Sequence, residues 1–114
     1  VNKEIKRMTN QELYDLFSSL SGYCLYDHVK NKRARRPDVH ALLVLDKLAF
    51  VTMTDSLPMV DAVFNSTIYF RLPIEVFKLV ATHEIVQELV YCGVTYDLAK
   101  NRLAFITSGS LHAA

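Results

Sequence analysis

The chain reads as one small α+β domain, with helices packed on one face of a short antiparallel sheet made from hairpins. Three observations lead there. Apolar residues recur at intervals of three and four in the first half, which is the pattern of a helix with one buried stripe. Two runs rich in Val, Ile, Phe and Tyr meet at Asn65-Ser66, and asparagine tolerates the left-handed backbone that a tight hairpin turn requires. Finally, 51% of the 114 residues are apolar, enough for one compact core with no disulfide or metal to staple it.

The elements follow in order. Thr9 and Glu12 have the spacing of a capping box, so a helix is expected to begin there. Leu13, Leu16, Phe17 and Leu20 form its apolar stripe, and Gly22 is a candidate end. The next stretch, YCLYDHV, can continue as helix or break; periodicity does not choose. Pro37 suits a first helical turn because its missing N–H has no partner to lose, and Asp38 adds negative charge at the positive end of the dipole. A helix is expected over about 38–49, with Val39, Leu42, Leu43, Leu45, Leu48 and Ala49 as its apolar surface.

Strands are expected near 59–64 and 67–72, closed by Pro73. Residues 74–92 read as helix. Thr82 is a good N-cap, so two short helices over 74–81 and 83–92 compete with a single bent one. Gly93 fits a helix-ending position. VTYD and RLAFI then flank LAKN as a second hairpin. The single domain spans 1–114, with 1–8 and 107–114 expected to fray.

Charge is unevenly spread. The formal net charge is +1, yet Lys30, Lys32, Arg33, Arg35 and Arg36 together supply +5 and leave −4 for the remainder. Such a loop is either solvated or a grip for an anionic partner, phosphate backbone or acidic protein, whose binding would weaken steeply with salt. It carries no aromatic residue between its charges for base stacking.

Catalytic and metal chemistry find little support. His83-Glu84 followed by Gln87 lacks the second imidazole of a zinc helix, and a carboxamide is a poor zinc ligand. Cys24 and His28 are four residues apart, and none of the serines sits in a nucleophile elbow. The histidines at 28, 40, 83 and 112 do not form a ligand set. Three glycines, at 22, 93 and 109, cannot build a phosphate-cradling loop. Neither a cofactor nor a metal is expected. Cys24 and Cys92 read as buried thiols. The opening VNKEIKRMTNQE is not a secretion signal and no run approaches membrane-spanning length, so a soluble cytoplasmic protein is expected.

In the hairpin, Val60, Phe64, Ile68 and Phe70 make both faces apolar. A two-sided apolar hairpin is either covered on both faces or used in association, and a homodimer is the expected consequence.

Two resemblances bear on function. A helix ending LVYCG, then a strand, a short wing and the strand RLAFIT, resembles the end of a winged-helix domain. Residues 83–92, however, offer His83, Glu84, Gln87 and Glu88 to a DNA groove, where the glutamates would meet phosphates. From about Pro37 to Ile106, PDVHALLVLDKL, TIYF, IVQELVYCGVTYD and LAF look like small uncharacterised proteins of phages, plasmids and integron cassettes. That resemblance implies a mobile-element origin and an accessory role, and it carries no catalytic residue. The resulting expectation is a non-enzymatic, self-associating binding or assembly module. The alternatives are a nucleic-acid-associated accessory protein gripping phosphates through residues 30–36, and a small enzyme with no nameable site.

Overall fold

The computed structural model describes residues 3–20 and 26–106. Helices α1 (Asn10–Leu20) and α2 (Pro37–Val51) precede a hairpin of β1 (Val60–Phe64) and β2 (Thr67–Phe70). Helices α3 (Ile74–Val80) and α4 (His83–Tyr91) follow, then β3 (Val94–Asp97) and β4 (Arg102–Ile106). Short 3-10 turns lie at Ile5–Arg7 and Tyr26–His28. The four strands form one antiparallel sheet in the order β1-β2-β4-β3. The fold is α+β, as the apolar patterning implies.

Local chemistry sets most boundaries. Thr9 Oγ1 accepts from the Glu12 N–H at 3.1 Å while Glu12 Oε1 accepts from the Thr9 N–H at 2.8 Å, which is the capping box. Those contacts, the Thr9 N–H first and Lys3 next, hold the Glu12 carboxyl below its ordinary value. Thr82 separates α3 from α4 by accepting from the Ile85 N–H at 3.2 Å, so residues 74–91 form two helices. Asn65 and Ser66 both have positive φ, 51° and 61°, as a two-residue hairpin turn demands. Gly93, at φ 96°, reverses the chain after α4.

Alternation along the strands decides the buried face. Phe70, Leu103, Tyr96 and Val94 point to the side that the helices cover, and Ile68 and Phe105 pack beside them. The Phe17 ring of α1 lies 6.3 Å from both Phe77 of α3 and Tyr96 of β3, joining three elements at the centre.

Four expectations need correction. Residues 3–8, expected to fray, are placed against the domain: Ile5 is buried, and buried Lys78 donates to the Met8 carbonyl and to Asn10 Oδ1. On α2, Leu45, Leu48 and Ala49 are buried as expected, but His40, Ala41 and Val44 join them whereas Val39 and Leu43 are exposed. In β1 the pairing slips between Val60 and Ala62, a bulge that frees Asp61 from simple alternation. The strands are also shorter than expected, β2 ending at Phe70. Gly22, Cys24 and residues 107–114 lie outside the described residues.

Candidate functional site

Three surfaces carry chemistry: the basic loop and the cleft beside it, the junction beneath that cleft, and the apolar stretch from α2 to the hairpin.

The junction centres on His40, whose side chain is fully buried. Its Nδ1 accepts from the Arg33 backbone N–H at 3.0 Å. That nitrogen therefore carries no proton, and Nε2–H is the donor to Glu88 Oε2, at 2.5 Å. One side chain of α2 thus ties the basic loop to α4. The Tyr26 ring stands edge-on to the imidazole, 5.8 Å away, and its hydroxyl donates to the Ala34 carbonyl. Burial, then the negative charge of Glu88, pushes the neighbouring Cys92 thiol up to about 12. Burial also raises the Tyr26 phenol above its ordinary value, reinforced by Cys92 and Glu88. A thiol so held stays protonated at neutral pH, which disfavours Cys92 as a nucleophile.

Above the junction, the Val29–Asn31 segment and the outer face of α4 enclose an open cleft of about 390 Å³. One wall carries His28 and Lys30, the other Glu84, Gln87, Glu88 and Tyr91. The His28 and Tyr91 rings meet edge to face at 5.8 Å. Gln87 Nε2 donates to the Tyr91 hydroxyl at 3.0 Å.

The five cations of the loop are not equivalent. Lys32 folds back, donating to the Asp27 and Val29 carbonyls and lying 5.4 Å from the centre of the Tyr26 ring. Arg33 uses its backbone to hold His40 while its side chain is exposed. Lys30, Arg35 and Arg36 are exposed, and none of the five forms an ion pair among the described residues. Beyond the loop, the face that a winged helix would present to DNA is acidic α4 with residues 28–31 lying against it.

Of the residues expected to associate, Val60 and Phe64 are exposed, at 38% and 60%. Ile68 is half-buried against the core, and Phe70, 2% exposed, belongs to the core outright. Alternation places Ile68 and Phe70 on the helix-covered side of the sheet. Phe64 lies on the opposite side, where Lys100 approaches its ring and that of Tyr69, each at 5.7 Å. Sequence patterning overlooked the wider surface: among the described residues, seven of the twelve exposed large apolar side chains fall between Phe50 and Phe64, among them Val51, Met53, Leu57 and Val63. Three charges brace the hairpin base, Asp61 pairing with Arg71 at 3.1 Å and with Arg102 at 2.9 Å.

Among the described residues no cluster of three His, Cys, Asp or Glu side chains is placed to hold a metal, and no helix is long and apolar enough to cross a membrane. Comparison with family models, with curated proteins and with solved structures finds no match.

Proposed function

We propose that this protein is a non-enzymatic binding and assembly module that pairs with a second copy of itself through the apolar surface from Phe50 to Phe64. The observation that carries the reading is the concentration of exposed apolar side chains in that one stretch of chain, with Val60 and Val63 on the Ile68 side of the hairpin and Phe64 on the other, so that it wraps the edge at β1; exposed apolar groups gathered together mark interaction surfaces whereas scattered ones do not. Strand β1 lies at the edge of the sheet, so among the described residues one side of its backbone has no neighbouring strand. The Asp61 bulge shortens the pairable edge, which leaves side-chain burial as the main driving force.

A second copy fits this surface for two reasons. Exposed Asp46, Lys47 and Asp55 flank it with both signs of charge, and a twofold axis can set opposite signs against each other. A self-complementary patch is also all that a twofold dimer needs. The setting we infer, a cytoplasmic accessory protein of a mobile element, rests on the resemblance of residues 37–106.

Introducing charge at Val63→Glu together with Phe64→Lys tests the reading. Both side chains are exposed, so the fold survives. The wild-type chain is expected to elute and scatter as a dimer and the double variant as a monomer with an unchanged circular dichroism spectrum. An identical, monomeric mass for both would refute it.

A second reading is favoured by the unpaired, exposed side chains of Lys30, Arg33, Arg35 and Arg36: contact with a nucleic-acid backbone. Four such contacts predict a log–log salt slope of about −3.6 on duplex DNA. Mobility shifts at two salt concentrations measure it, and no shift at low salt removes this reading.

A further inference from the structure

We propose that the cleft between the Val29–Asn31 segment and α4 binds a small zwitterion carrying an ammonium and a carboxylate, such as a free amino acid or a short peptide with free ends. The site is separate from the association surface and does not depend on it.

Its volume of about 390 Å³ is in the range of small-molecule sites, roughly 300–1,000 Å³. Charge selects the ligand. Lys30 stands on one wall, Glu84 and Glu88 on the other, and among the described residues no ion pair crosses the gap. A dianionic phosphate would be repelled by the two carboxylates. A simple amine would be opposed by Lys30, and a simple carboxylate by the glutamates. A molecule with one charge of each sign satisfies both walls.

The polar groups are already aimed. Glu88 is held through Oε2 by the buried imidazole of His40, whose other nitrogen is pinned by the Arg33 N–H, so Oε1 is left to accept from an ammonium. The Tyr91 hydroxyl accepts from Gln87 and therefore has its own proton to donate. Lys30 and Tyr91 receive the carboxylate; Glu88, with Glu84 one turn away on the same helix, receives the ammonium. Orientation of this kind lowers the ordering cost that weak ligands face. His40 acts here as a positioning residue, not as a contact.

The test is a titration of the folded protein followed by amide chemical shifts. The probes are glycine, L-alanine and glycylglycine, with N-acetylglycine and glycinamide as single-charge controls. Saturable shifts are expected at Lys30, Asn31, Glu84 and Glu88 with the zwitterions, and at least tenfold weaker binding with both controls. Glycine against glycylglycine distinguishes a free amino acid from a peptide. Glu88→Gln keeps an acceptor for His40 and removes only the charge; it is expected to weaken binding about tenfold, as is Lys30→Gln. No saturable shift with any zwitterion, equal binding of a single-charge control, or shifts mapping elsewhere overturns the proposal.

Discussion

His40 shows how one side chain can decide three things at once. It sits where a leucine would fill the same space, on the buried face of α2 between the loop and α4. Both ring nitrogens are satisfied, one by the Arg33 N–H and one by Glu88, so the usual cost of burying a polar group is offset. Replacing it with alanine leaves a cavity and takes the acceptor from the part-buried Arg33 N–H. We expect His40→Ala to lose about 2–4 kcal/mol of stability, measured as a shift of the urea midpoint at constant slope. A change within about 0.5 kcal/mol, the range of surface substitutions, would show that the junction holds nothing together. Cys92 makes a second prediction at this scale. Its folded thiol titrates near 12 against an ordinary value of 9, so above pH 9 the unfolded chain loses a proton that the folded chain keeps. Stability is therefore full below pH 9 and declines as pH rises from there toward 12. The phenols of Tyr26, Tyr69 and Tyr96, all raised mainly by burial, add to the decline in the alkaline range. Urea midpoints between pH 7 and pH 10.5 should fall, and Cys92→Ala should flatten the slope; a wild-type midpoint constant to pH 10.5 contradicts this.

At the scale of elements, turns and caps were the most legible parts of the sequence because their causes are local. Thr9 with Glu12, Pro37, Asn65-Ser66, Thr82 and Gly93 each act within four residues, and each sits where its chemistry requires. Only part of the buried face of α2 was legible, Leu45, Leu48 and Ala49, because that helix is apolar nearly all round, so no stripe stands out. Counting His40 as a possible core residue would have revealed the series 40, 41, 44, 45 and 48. The cleft was illegible for a different reason: its walls are about 55 residues apart in the chain, and only tertiary packing brings Lys30 opposite Glu84. Asp61 was similarly hidden, since a bulge is a property of a strand pair. The turn between β3 and β4 offers a test of local strain against tertiary contact. Asn101 has φ 55°, accepts from the Tyr96 hydroxyl at 2.6 Å and touches Asn10. Asn101→Gly keeps the backbone conformation and strands the phenol, whereas Asn101→Ala loses both. The glycine variant should cost about 1–2 kcal/mol and the alanine variant about 1 kcal/mol more. Equal melting temperatures for wild type and both variants would contradict this.

For the whole molecule, the arrangement is one of separated surfaces around a shared core. Cations gather on the loop beside α4, carboxylates face them across the cleft, and exposed apolar groups collect between the end of α2 and the hairpin. The overall division into one core and a cationic loop outside it was readable from composition and patterning, because both depend on averages along the chain. Which apolar residues remain exposed was not, since exposure depends on what the completed fold leaves uncovered; Phe70 and Phe64 are six residues apart and lie on opposite faces of the sheet. The central claim is that the uncovered set, Phe50 to Phe64, meets its equal on a second copy. Sedimentation equilibrium across a hundredfold range of protein concentration tests it most directly. The account predicts a mass rising from that of one 13.0 kDa chain to twice that value, with Phe64→Lys shifting the rise to higher concentration. A mass that stays at one chain throughout would contradict it.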